Sequence, residues 1–75
     1  MDILFDFREL KGRIVTRYGN CKNFGKAIGM SASQVSDRLN NKIHFKPDEI
    51  YIICAPDVLD IPEAEVVRYF FTPKV

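Results

Sequence analysis

The segment around Ser31 fixes the start of a helix more firmly than any other part of this chain. Ser31 and Gln34 have the spacing of a capping box, in which each side chain satisfies a backbone N–H that the first helical turn leaves unpaired. Met30 and Val35 occupy the positions of a hydrophobic staple across the same turn. Two independent devices therefore predict a helix that begins after Ser31.

Helical periodicity and breaker residues predict four further helices. Gly19 and Gly29 end the first two patterns, and Asn20 has the position of an N-cap for the second. Pro47 suits the first turn of a fourth helix, which Pro56 closes because a proline removes a backbone donor. Five helices without a convincing strand predict an all-α fold class. The predicted helices cover residues 6–18, 21–28, 32–39, 47–55 and 61–71.

Length and composition predict one small domain over residues 1–75. A chain of 75 residues with 47% hydrophobic residues is too apolar for a disordered tail, and it has little room for a substrate cavity. No apolar run could cross a membrane, and Met1-Asp2 does not open a signal peptide. Cys21 and Cys54 form no metal-ligand spacing, so we expect free thiols and a cytoplasmic protein. We expect no enzyme activity, cofactor, metal or small-molecule substrate.

The net charge of +1 hides an uneven distribution along the chain. Residues 1–10 have a net charge of −2, residues 11–46 of +7, and residues 47–75 of −4. A basic middle between acidic ends is typical of a polyanion-binding face, although a solvated charge run gives the same pattern.

The residues around Gly29 meet the physical demands of a helix-turn-helix motif at about residues 20–40. Gly25 is the small residue that lets the second helix cross the first closely, and Gly29 tolerates the positive φ of the turn. Val35 anchors the second helix to the core. The segment from Phe24 through Asn40 resembles the XRE-like helix-turn-helix family, which includes the Cro and lambda-type phage repressors.

The resemblance extends over about residues 8–61 and implies a compact five-helix, lambda-repressor-like domain. The ending Tyr69-Phe70-Phe71 resembles short phage-encoded regulators in particular. Gly25 departs from the alanine usual in the family, which softens the first motif helix by up to ~1 kcal/mol.

The resemblance also implies roles for individual residues. The positions that match base-reading residues are Ala32, Ser33, Ser36 and Asp37. The positions expected to contact DNA phosphates are Asn20, Lys22, Arg38, Asn40, Lys42 and Lys46. The residues expected at a dimer or partner interface are Tyr69, Phe70 and Phe71. Because adjacent helical residues diverge by about 100°, one of the two phenylalanines is expected to be buried while the other faces a partner.

The implied base-reading set is chemically modest. Neither Ala32 nor Ser33 can make the bidentate contact with a purine that arginine or glutamine provides. Asp37 could accept from a cytosine amine, or it could act as a repulsive element against wrong registers. Phosphate contacts would therefore supply most of the affinity, with a steep salt dependence. The single histidine, His44, is interpreted as a loop residue, and Cys54 as core filler.

Two hypotheses of function follow from these residues. The first is a sequence-specific regulator of the Cro-repressor type that controls phage or prophage lysis and lysogeny. It would bind double-stranded operator DNA as a homodimer, with half-sites ~34 Å apart. The alternative is an antirepressor or modulator that binds a partner repressor protein. The weak base-reading set and the acidic, aromatic C-terminal segment keep this alternative open.

Overall fold

Helix boundaries in the computed structural model, which describes residues 3–75, follow the predicted caps closely. The helices are α1 (Arg8–Tyr18), α2 (Cys21–Ile28), α3 (Ala32–Leu39), α4 (Pro47–Cys54) and α5 (Val66–Phe70), the last preceded by a 3-10 turn at Glu63–Glu65. No strand occurs among the described residues. The all-α prediction is confirmed.

The capping predictions for α2 and α3 are confirmed atom by atom. The side-chain oxygen of Asn20 accepts from the backbone N–H of Asn23 at 2.8 Å. Ser31 Oγ accepts from the Gln34 N–H at 3.1 Å, and Gln34 Oε1 accepts from the Ser31 N–H at 2.8 Å. Each helix therefore begins at the residue where its side-chain cap is available.

Two glycines set the tight connection between α2 and α3. Gly29 lies in the left-handed region at φ 75°, which a residue without a Cβ adopts freely. Gly25 is buried beneath the turn, and a Cβ placed on it would collide with the carbonyl oxygen of Met30. The prediction that a small residue is required at this crossing is confirmed by that geometry.

The core joins all five helices. Phe24, Val35 and Ile53 are fully enclosed, so that α2, α3 and α4 share one apolar centre. The buried set is Phe7, Leu10, Ile14, Phe24, Val35, Leu39, Ile53, Val58, Leu59, Ile61, Tyr69 and Phe70. Edge-to-face contacts of Phe45 with Phe7 and Phe70 bring the N-terminal segment, the loop after α3 and α5 together.

The chain ends are tied to each other and to the exit of α3. Asp6 N–H donates to the Thr72 carbonyl at 2.7 Å, beside an isolated antiparallel bridge between Phe5 and Pro73. Asn41, at φ 63°, uses its side-chain amide to bond both the N–H and the carbonyl of Phe5, at 2.9 and 3.0 Å. Asn41 is therefore the left-handed residue at the exit of α3.

The predicted boundaries at the two outer helices need correction. The first helix begins at Arg8 and not at residue 6, because the Asp6 carboxylate accepts from the Arg8 N–H ahead of the first turn. The last helical segment spans 63–70 rather than 61–71, because Pro62 is still extended at ψ 148°.

The two helical glycines make a matched pair for testing this packing. Gly12 lies exposed in α1 with open space where a Cβ would go, whereas the same position on Gly25 is filled by the Met30 carbonyl. Gly12→Ala should raise the free energy of unfolding by up to ~1 kcal/mol, because alanine favours helix. Gly25→Ala should lower it by about 1–3 kcal/mol, because the turn must move. Urea unfolding measures both. Equal stabilisation by the two substitutions would show that α2 and α3 are not in close contact at Gly25.

Candidate interaction surface of the third helix

The outward side of α3 carries small side chains that are neutral apart from the carboxylate of Asp37. Ala32 and Ser33 are exposed, and Ser36 and Asp37 are half-buried, while Val35 and Leu39 on the opposite side enter the core. We call the first four residues the α3 surface. The structure thus brings together the four residues that the resemblance assigned to base reading.

Arg38, the only cation of α3, does not belong to the accessible surface. Its Nε and Nη2 donate to the two carboxylate oxygens of Glu49 at 2.9 and 3.0 Å, and its Nη1 donates to the Gln34 carbonyl at 2.9 Å. The side chains of this ion pair are only 8% and 13% exposed. The predicted phosphate role of Arg38 is therefore wrong, because the guanidinium is turned inward and its charge is neutralised.

The ion pair fixes the charge state of both partners. The hydrogen bond from Arg38, with a smaller contribution from the Lys46 N–H, holds the pKa of Glu49 below its ordinary value against the opposing effect of burial. The same bond raises the pKa of Arg38. Glu49 also accepts from the Lys46 N–H at 3.0 Å, so one carboxylate both caps α4 and holds α3.

The remaining predicted phosphate contacts are exposed around α2 and the loop after α3. Lys22 and Lys46 are exposed. Lys42 is also exposed, and its backbone N–H donates to the Asp37 carbonyl at 2.8 Å, which holds this residue beside the end of α3. The exposed amides Asn20 and Asn40 serve local structure, since the first caps α2 and the second donates to Ser36 Oγ at 3.1 Å.

A second arginine of the basic middle segment is also held internally. Arg13 on α1 donates to the carbonyls of Leu59 and Asp60 at 2.8 and 2.7 Å, which braces the turn after α4. Its guanidinium lies 5.5 Å from the centre of the Tyr69 ring. The positive charge counted along residues 11–46 exceeds the positive charge that is accessible on the surface, because Arg13 and Arg38 are held by internal hydrogen bonds.

The C-terminal aromatic residues divide between core and surface. Tyr69 and Phe70 are 6% and 2% exposed, so neither can form the predicted interface. The Tyr69 hydroxyl accepts from Arg13 and Arg68, and Phe70 packs against Phe45. Phe71 is 44% exposed and remains available to a partner.

The thiols and the histidine form no reactive group. Burial raises the pKa of the Cys54 thiol, and Cys21 is half-buried against the core. His44 is exposed in the loop. Within residues 3–75, no cluster of His, Cys, Asp and Glu is placed to hold a metal ion. Across the same residues, no helix combines the length and apolarity needed to cross a bilayer.

Sequence reasoning missed the exposed side of α4. Tyr51 is 81% exposed there, beside half-buried Ile50 and Cys54. The sequence does contain a signal for an acidic surface here, because residues 47–67 contain six carboxylates and no lysine, arginine or histidine.

Comparison with known proteins places the chain in a family. It belongs to a family described as protein of unknown function (DUF739), whose model matches residues 3–73. No curated protein matches the chain.

Among solved structures, the chain is similar to the modulator of repression (MOR) of the temperate bacteriophage TP901-1 from Lactococcus lactis, which was determined in solution. The two are 36% identical, with a TM-score of 0.76, over 89% of this chain and 88% of that one. The fold is therefore that of a small helical regulator of the phage type. The finer assignment to the XRE-like family stays a prediction.

The Arg38–Glu49 pair generates a pH-dependent prediction. Because folding lowers the pKa of Glu49, the pair's contribution is complete above the ordinary glutamate value of about 4.3 and disappears as the pH falls through the lowered value. Glu49→Gln should therefore lower the free energy of unfolding by about 3 kcal/mol near neutral pH, because it leaves Arg38 buried without its counter-charge. The difference in the free energy of unfolding between Glu49→Gln and the unsubstituted protein should become smaller in acid.

Chemical denaturation across a pH series measures this difference. Asp57→Asn is the control, because Asp57 is exposed and makes no ion pair among the described residues. A difference for Glu49→Gln that stays constant down to about pH 2 would contradict the assignment.

Proposed function

We propose that this chain regulates repression in a phage-type genetic switch by binding a repressor protein. The observation that carries the proposal is the absence of an accessible cation on α3: its one arginine is held by Glu49, and the α3 surface presents a methyl group, hydroxyls and the carboxylate of Asp37.

The electrostatics of α3 favour a protein partner over a DNA groove. Most hydrogen bonds from proteins to DNA reach phosphates and sugars, and the affinity depends on lysine and arginine. A helix whose only accessible charge is a carboxylate is repelled at the groove. The cores of protein interfaces are depleted in charge, so a surface of small side chains whose one charge is Asp37 suits a protein partner.

The solved structure of similar fold supports the same direction. That protein is named for modulating repression, and its likeness to this chain extends over nearly the full length of both. A modulator needs contact with a repressor and does not need to read base edges itself.

The exposed lysines support a second candidate, direct binding of operator DNA. Lys22 and Lys26 lie on α2, and Lys42 and Lys46 lie in the loop after α3, all of them exposed. In this candidate the lysines contact phosphates on either side of the α3 surface. Ser33 and Asp37 then supply the limited sequence preference.

A DNA retention assay with the repressor encoded in the same genome tests the first candidate. The chain alone should bind only a small fraction of an operator duplex of about 20 base pairs. Adding the chain to the repressor should change the repressor's apparent affinity for that duplex by tenfold or more, roughly 1.4 kcal/mol. The control is an unrelated repressor with its own operator, which should be unaffected. The proposal is contradicted if the chain binds the duplex tightly by itself and leaves the repressor unchanged.

Substitution of single lysines tests the second candidate. Under direct DNA binding, Lys42→Ala should weaken binding to all duplexes about equally and reduce the salt slope by about 1, because one phosphate contact is lost. Arg68→Ala is the control, since Arg68 is an exposed cation on α5 whose charge is already paired with Glu9 and Glu65. Titrations at about 50 and about 200 mM salt measure the slope. An unchanged slope for Lys42→Ala would remove the phosphate assignment.

A further inference from the structure

An apolar groove runs between α4 and the C-terminal helical segment, away from α3. It encloses about 580 Å³ and is lined by Pro47, Ile50, Tyr51, Cys54, Ala55, Pro56, Ile61, Glu63 and Val66. None of these residues belongs to α1, α2 or α3. We call it the α4 groove.

Carboxylates predominate among the charged residues close to the groove along the chain. Glu63 lines it, Asp48 follows the lining residue Pro47, and Asp57 follows the lining residue Pro56. All three carboxylates are exposed, and none forms an ion pair within the described residues. The nearest cation in sequence, Lys46, lies just before the groove-forming stretch of residues 47–67.

Two other carboxylates of that stretch are already paired, in contrast to these three. Glu49 is held by Arg38, and Glu65 bonds Arg68 at 2.7 Å. The three carboxylates beside the groove therefore remain free to meet cations from another molecule. An apolar floor with unpaired carboxylates along it is complementary to apolar side chains flanked by lysine or arginine.

We propose that the α4 groove holds an amphipathic helix of a partner protein, with its apolar face on Ile50, Tyr51 and Val66 and its lysines or arginines beside Asp48, Asp57 and Glu63. Tyr51 is 81% exposed and supplies a rigid aromatic contact of the kind that dominates binding energy at interfaces. A helix lying in an apolar groove is a common mode of peptide recognition. The carboxylates repel nucleic acid from this site.

A second copy of the chain is the less favoured occupant. One of its apolar segments between cations is Lys42-Ile43-His44-Phe45-Lys46, in which Ile43 is 44% exposed. Placing that loop in the groove of another copy is a head-to-tail contact, which builds open chains unless the rotation happens to close.

The proposal of an amphipathic helix in the α4 groove rests on the proposed function, because the partner protein that supplies the helix is the repressor.

The test is a titration of the isotope-labelled full chain with a synthetic helical peptide of about 18 residues, leucine on one face and lysine elsewhere. Amide signals of Tyr51, Cys54, Ala55, Ile61 and Val66 should shift. Two comparison peptides have glutamate in place of lysine, or the same composition with leucines scattered around the helix. Both should bind at least about tenfold more weakly.

Charge reversal locates the binding. Glu63→Lys should weaken binding of the peptide by about tenfold. The control Asp37→Lys, which reverses a carboxylate of α3 outside the groove lining and outside any ion pair of the described residues, should not. Shifts confined to other amides, equal binding of the glutamate peptide, or equal effects of the two substitutions would overturn the proposal. So would shifts of the groove amides caused by a DNA duplex, or by raising the concentration of the chain alone.

The repressor assay separates this inference from the proposed function. If Glu63→Lys removes peptide binding but still modulates the repressor fully, the groove is not the repressor's site and the proposed function stands. If the unsubstituted chain leaves the repressor unaffected, the proposed function fails whatever the peptide does.

Discussion

The ion pair between Arg38 and Glu49 determines what α3 can offer to another molecule. Two charges are taken out of water at a cost of several kcal/mol each, and the cost is offset only because the pairing is bidentate and the remaining donors and acceptors are satisfied. Arg38 also bonds the Gln34 carbonyl, and Glu49 also accepts from Lys46 at the start of α4. Two helices are thereby fixed in one orientation. The consequence for function is that the outward side of α3 has no positive charge.

Because two arginines are held by internal hydrogen bonds, the surface divides into regions of different chemistry. Arg13 braces the turn after α4, as Arg38 braces α3, so lysines provide the accessible charge of the basic middle segment. The α3 surface is small and neutral apart from Asp37. The α4 groove is apolar and acidic. A chain of 75 residues can therefore present exposed lysines, a helix surface without positive charge and an acidic groove at once. The proposed regulation through a protein partner would use the last two and would not require base readout.

Local signals predicted the helices well, because capping depends on residues three positions apart. The Ser31–Gln34 box and the Asn20 cap are of this kind. The partners that decide the site are distant in sequence: Arg38 meets Glu49 eleven residues on, and Asn41 bonds Phe5 at a separation of 36. Charge counting could not tell a buried arginine from an exposed one. Helical periodicity predicted that Phe70 and Phe71 divide between core and surface, but it could not show which of the two is buried.

If α3 acts without a positive charge, the Arg38 guanidinium stays in the interior and contacts no partner directly. The side-chain Nε–H signal of Arg38 in a proton–nitrogen spectrum near neutral pH measures this most directly. The Arg38 Nε–H signal should exchange slowly with water and should disappear or move in Glu49→Gln. It should stay in place when an operator duplex is added. A rapidly exchanging Nε–H that shifts on addition of the duplex would contradict the interior placement of Arg38.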